Sequence, residues 1–145
     1  MKDRFAELLR QAEEAFANGR IESAVEFASK AEELALRHDE HDLADRAFCN
    51  RCAFLFELDQ GGDQIPRLKQ ILLRSRDTKN RFLAAYYTAV AFDIDNDLER
   101  AQSYATRALE LSEKIDEPAF RAHCANLSGT LAVRSSRFEE AEAAY

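Results

Sequence analysis

Small and apolar residues recur along the chain at helical spacing, and short polar breaks interrupt them. Leu8, Ala12 and Ala15 fall at i, i+4 and i+7, one face of a helix that starts near Phe5. After Asn18-Gly19-Arg20 a second stripe begins: Ile21, Ala24, Ala28 and Ala31, with Val25, Phe27 and Leu34 beside it. A helix that stops at a glycine and restarts two residues on predicts an antiparallel hairpin. The arrangement returns from Phe82. Ala85, Ala89 and Phe92 form one stripe, Asn96-Asp97 takes the place of Asn18-Gly19, and Leu98, Ala101, Ala105 and Ala108 form the next. A third copy starts near Pro118 with Ala125, Gly129 and Ala132, a polar break at Ser135-Ser136-Arg137, and then Phe138 and Ala141.

The small residues keep a common register. Ala12, Ala24 and Ala31 are separated by 12 and 7 positions, as are Ala89, Ala101 and Ala108, and Gly129 to Ala141 is again 12. Small side chains at those points let two helices approach closely. A degenerate unit, the second in chain order, lies between the copies at Phe5 and Phe82, with Phe48, Cys52 and Leu55 as its first stripe and Ile65, Leu68, Ile71 and Leu72 as its second. Its turn is longer, Asp59 to Gln64, and Pro66 sits in the first turn of the next helix, where a missing N–H costs little. With 46% hydrophobic residues the chain can bury a core, and only four Gly and two Pro leave too few turn-formers for a β-sandwich or barrel. The expected class is all-α, seven to eight helices, with units near residues 3–38, 42–77, 80–116 and 118–145.

This large–small alternation, in Leu8/Ala12/Ala15/Ala24/Ala31 and again in Ala85/Ala89/Phe92/Ala101/Ala108, resembles the tetratricopeptide repeat. The spacing of 37 to 40 between Ala12, Cys52, Ala89 and Gly129 is longer than that family's usual unit, and looks like the repeats of bacterial signalling and regulatory proteins. The resemblance implies hairpins stacked as a right-handed superhelix, with the first helix of each unit lining a concave groove for a peptide or helix. It places Leu9, Arg10, Glu13 and Phe16 there from the first unit, Arg46, Cys49, Asn50 and Phe56 from the second, Tyr86, Tyr87 and Val90 from the third, and His123, Asn126 and Thr130 from the fourth. Aromatic anchors beside Arg and Asn suit peptide recognition. Chaperone-type members clamp a C-terminal carboxylate with Lys and Asn, and only Asn50 matches that set. By the 12-then-7 register the last unit should continue beyond Tyr145, so the chain reads as the N-terminal part of a longer protein.

Charge narrows the partners. Twenty Lys+Arg against 27 Asp+Glu give a net charge of −7, which disfavours general nucleic-acid binding. One stretch runs against this balance: Arg67, Lys69, Arg74, Arg76, Lys79 and Arg81 are opposed only by Asp77, and Arg67, Arg74 and Arg81 recur every seven residues. A solvated helix face is the simpler reading, and a patch for an acidic partner is the sharper one. Charges every few residues from Met1 exclude a secretory leader, no apolar run is long enough for a membrane span, and three cysteines without a spacing framework fit reduced thiols, so the cytoplasm is the expected location.

Candidate chemistry is thin. Cys49-Asn-Arg-Cys52 has the spacing of a zinc or redox pair, but lies within an expected helix with only Cys124 elsewhere, which favours packing. His38-Asp-Glu-His41 reads as an exposed connection between hairpins. Gly61-Gly62-Asp63 shares three residues with the signature turn of diguanylate cyclases, but Gln64 and Ile65 replace the Glu-Phe that completes that signature. Asp93, Asp95 and Asp97 alternate like a calcium loop, yet Leu98 and Tyr104 stand where an EF-hand needs its glycine and glutamate. No phosphate loop, nucleophile triad or metalloprotease helix is present, and no cofactor or metal is expected. The expectation is a non-catalytic protein-interaction module at the input end of a signalling protein. The alternative is a spacer that pairs two copies into a homodimer through the open end of the stack.

Overall fold

The computed structural model describes the backbone of residues 1–143 and the side chains as far as Arg137. Among the described residues there are seven α-helices, one 3₁₀ turn and no strand: α1 (Lys2–Ala17), α2 (Ile21–Arg37), α3 (His41–Glu57), the 3₁₀ turn (Gly62–Gln64), α4 (Ile65–Arg74), α5 (Thr78–Ile94), α6 (Leu98–Ser112) and α7 (Pro118–Ala143). The chain divides into two compact units, Met1–Ile71 and the remainder from Leu72, with the boundary inside α4.

Four of the helices end in the same way. Gly19, Asp39, Asp59 and Asn96 have φ of +77°, +55°, +57° and +61°. The N–H of each donates to the carbonyl three residues back, and the next N–H (Arg20, Glu40, Gln60, Asp97) donates to the carbonyl five back, all at 2.8 to 3.2 Å. This pair of hydrogen bonds is the Schellman ending, which satisfies carbonyls that a helix terminus otherwise leaves open. It also reverses the chain. The counterpart of Gly19 is therefore Asn96, one position earlier than the pairing with Asp97, which instead caps α6 by accepting from the Arg100 N–H at 3.3 Å. Asp and Asn tolerate the left-handed region better than other side chains, but not without cost. Asp39→Gly and Asp59→Gly are each expected to stabilise by about 0.5 kcal/mol, seen as a higher urea midpoint. Asp63→Gly, where φ is not positive, should bring no gain.

In the first unit α1 packs on α2 and α2 on α3. Ala24, Ala28, Ala31 and Ala35 are wholly buried along α2. One cluster joins Phe5 and Leu8 to Ala31, Ala35, Ala44 and Ala47; another joins Ala12 and Ala15 to Ala24, Ala28 and Phe54. Alanine on every facing side brings the backbones close, so the seams are narrow. Phe48, Cys52 and Leu55 are buried as the degenerate unit's first stripe requires, and Leu68, Ile71 and Leu72 are buried along α4, with Ile65 half-buried.

In the second unit α5 packs on α6 and α6 on α7. Ala85, Ala89, Phe92, Ala101, Ala105 and Ala108 are buried in the expected register. Asp77 caps α5, its side chain accepting from the Asn80 N–H at 2.9 Å. Buried Thr88 satisfies its hydroxyl by donating to the Ala84 carbonyl at 2.7 Å.

The last unit departs from its expectation. No break occurs at Ser135-Ser136-Arg137: α7 runs through it as one helix of 26 residues. None of those residues takes the left-handed conformation that closes the other turns, and serine costs a helix interior only a few tenths of a kcal/mol, about the same as an aromatic. The small-residue stripe is also misplaced. Ala125, Gly129 and Ala132 are exposed, and a side chain added at Gly129 would meet nothing within 4 Å. Among the described side chains of α7, Cys124 and Leu131, seven residues apart, are the buried positions, and Ser135 accepts from Gln102 Nε2 at 3.1 Å. The expected roles of Phe138 and Ala141 lie outside the described side chains.

Candidate functional site

The residues assigned to a groove fall in both units, and each unit places its own. In the first, Leu9 and Phe16 on α1 and Arg46 and Asn50 on α3 are partly exposed. Leu9, Glu13 and Phe16 lie within roughly 60° of one another around α1, and Arg46 and Asn50 are about 40° apart around α3. Phe16, 38% exposed, sets its ring 5.1 Å from that of Phe54, which ties α1 to α3. Arg10 points elsewhere: it donates to Glu7 and Glu14 one turn away on either side, and this pairing holds the Glu7 carboxyl below its usual range. Cys49 is fully buried and offers no surface. Phe56 is roughly 240° around α3 from Asn50, at 100° per residue, and its ring covers Gly61 so closely that a Cβ there would lie 1.7 Å from it. Phe56 thus seals a turn instead of joining Arg46 and Asn50.

In the second unit the aromatic residues do gather. Tyr86 stacks on Phe82 with centroids 5.9 Å apart and meets Tyr87 edge-on at 5.4 Å, while Phe82 contacts Phe120 of α7 at 4.8 Å. Lys79 sits 5.3 Å from the Phe120 ring and pairs with Glu117 at 3.3 Å. Tyr86, Tyr87 and Val90 are half-buried, and burial pushes the Tyr86 hydroxyl above its ordinary pKa. His123, Asn126 and Thr130 are exposed on α7. Asn126 and Thr130 border a shallow depression with Gly129 and Val133. Near the end of α5, Arg134 pairs with Asp93 and donates to its backbone carbonyl.

The basic series is not one free face. Arg74 is exposed. Arg81 donates from Nε to the Leu72 carbonyl at 3.0 Å, closing an open end of α4. Arg67 turns inward, into a charged cluster that sequence reasoning missed. Glu32 of α2, buried, lies between two guanidinium groups: Arg51 of α3 at 2.6 Å and Arg67 of α4 in a very short contact. Arg51 also donates to Ser29 Oγ at 3.2 Å, and Arg67 lies 3.9 Å from Asp45. Both guanidinium groups face the ring of fully buried Phe48, at 5.4 and 3.9 Å from its centroid. Burial raises the Asp45 carboxyl, and the field of Arg67 only partly offsets it. A sequence signal for Glu32 existed: Ala28, Glu32 and Ala35 follow the i, i+4, i+7 pattern of the buried stripe.

Cys49 and Cys52 lie beside this cluster, wholly buried and unbonded to each other. Desolvation pushes the Cys49 thiol far up and that of Cys52 up to about 12; on α7 Cys124 is raised to about 11. Thiols held protonated are poor nucleophiles near neutral pH. Among the described residues no three His, Cys, Asp or Glu side chains gather as a metal site. No helix of those residues is long and apolar enough to cross a membrane. Comparison with protein-family models, with curated proteins and with solved structures returned no match.

Proposed function

We propose that the chain is a non-catalytic protein-interaction module, of the tetratricopeptide-like kind, that binds a peptide or helix on the first helices of its hairpins. It would serve as the regulatory input region of a longer signalling protein. What supports this reading most is the placing of half-exposed aromatic residues on those helices. Phe16 rests on Phe54 in the first unit, and Tyr86 and Tyr87 meet edge-on in the second. Each ring is rigid and partly dehydrated, so a partner gains contact area at little entropic cost. Arg46 and Asn50 supply hydrogen-bonding groups beside the first pair. In a screen of displayed peptides, Tyr87→Ala and Arg46→Ala are expected to weaken capture at least tenfold while leaving the helical circular-dichroism signal intact. Capture equal to the unaltered protein by both variants would remove the groove assignment.

A second reading, the pairing of two copies, draws on α7. Val133 is 50% exposed there and Gly129 leaves an open approach to the backbone. Light scattering across concentration separates the two readings, because a strictly monomeric species counts against pairing.

A further inference from the structure

We propose that Arg67 latches the segment Gly61–Ile71, and that its release lets this segment leave α2 and α3, uncovering Phe48, Cys49 and Cys52 while α1–α3 stay folded. The segment is built for local opening. It follows a long turn that Phe56 covers at Gly61, beyond which Gly62 is exposed and meets nothing within 4 Å of an added Cβ. Its helix has ten residues where α1, α2 and α3 have 16 or 17, and so short a helix does not persist without tertiary support. Within the first unit, that support comes from buried Leu68 and Ile71, half-buried Ile65, and Arg67.

Arg67 is the side chain that reaches across. It pairs with Glu32 of α2, approaches Asp45 of α3 and lies over the Phe48 ring. An ion pair of this kind stabilises only modestly, because desolvation offsets part of its attraction. Arg67 keeps 39% of its side chain in solvent, so water can take over its hydrogen bonds when it leaves. Glu32 is not stranded by that step, since Arg51 and its bond to Ser29 remain. Arg67 is therefore the replaceable part of a grip that Leu68 and Ile71 otherwise supply, while the Ala-lined seams of α1–α3 do not depend on it. Low-cost, sub-global opening of this kind is common where few apolar contacts hold an element.

The two thiols behind the latch report its state. Alkylation by iodoacetamide at pH 8, resolved by peptide mass spectrometry, measures Cys49, Cys52 and Cys124 separately at increasing urea below the unfolding transition. Arg67→Gln is expected to speed Cys49 and Cys52 about tenfold, with rates that barely respond to urea, and to leave Cys124 at its original rate. Unchanged rates for Cys49 and Cys52, or rates that climb with the full urea dependence of global unfolding, overturn the latch. If Arg67→Gln does not fold, Arg67→Lys gives the same readout. Lys keeps the charge but loses the planar guanidinium over Phe48, so a rise of a few-fold with a shallow urea slope is expected. An unchanged or steeply urea-dependent rate again counts against the latch.

Discussion

Glu32→Gln is expected to cost about 2 kcal/mol of stability, because removing the central carboxylate leaves the largely buried Arg51 without its ion pair, while the more exposed Arg67 turns to water. Asp45, 3.9 Å from Arg67, then remains as its carboxylate partner. Arg67→Gln should cost less, about 1–2 kcal/mol, since the group is partly solvated and loses one pair and one ring contact. Glu32→Gln combined with Arg67→Gln should then cost less than the two single changes added together, because one replacement removes the charge that the other exposed. Urea unfolding followed by circular dichroism measures all three. Strict additivity would mean that the two residues do not act as a unit.

Phe82→Ala is the second large effect, about 3–4 kcal/mol. Phe82 is buried on α5, stacks on Tyr86 and touches Phe120 of α7, so its loss opens a cavity where two helices meet. Phe82→Leu should recover more than half of the loss by refilling most of the volume. Tyr87→Ala removes a ring that is only half-buried, and should cost under about 1 kcal/mol. Thermal unfolding of the three variants tests this order. Equal losses for Phe82→Ala and Tyr87→Ala would show that burial does not distinguish these rings.

The first and third hairpins were legible in the sequence for two reasons. Their Ala stripes keep one register on both sides of a turn, and each turn carries a residue that accepts a left-handed backbone: Gly19 and Asn96. Asp39 and Asp59 follow the same rule, but an aspartate at that position looks like any polar loop residue until its φ is known. The last unit misled because a single interval, Gly129 to Ala141, set its register, and Ser-Ser-Arg lacks a residue that ends a helix. Charge was the least legible feature. Arg67 belongs by sequence to a basic run, yet its partners Glu32 and Asp45 lie 35 and 22 positions away on other helices. One-dimensional charge patterns see neighbours along the chain, whereas burial selects neighbours across a seam. For the candidate groove, sequence placed Leu9, Phe16, Arg46 and Asn50 on common faces, but set Arg10 and Phe56 with them although helical geometry already separates these two.

The alanines that line the seams have a consequence for how such a chain can change over generations. Ala24, Ala28, Ala31, Ala101, Ala105 and Ala108 are shut off from solvent, so an added methyl group there costs about 1–3 kcal/mol through forced rearrangement. Drift is thereby confined to the outward faces, where substitutions leave the seam untouched. Substitutions on those outward faces can accumulate without disturbing the seams.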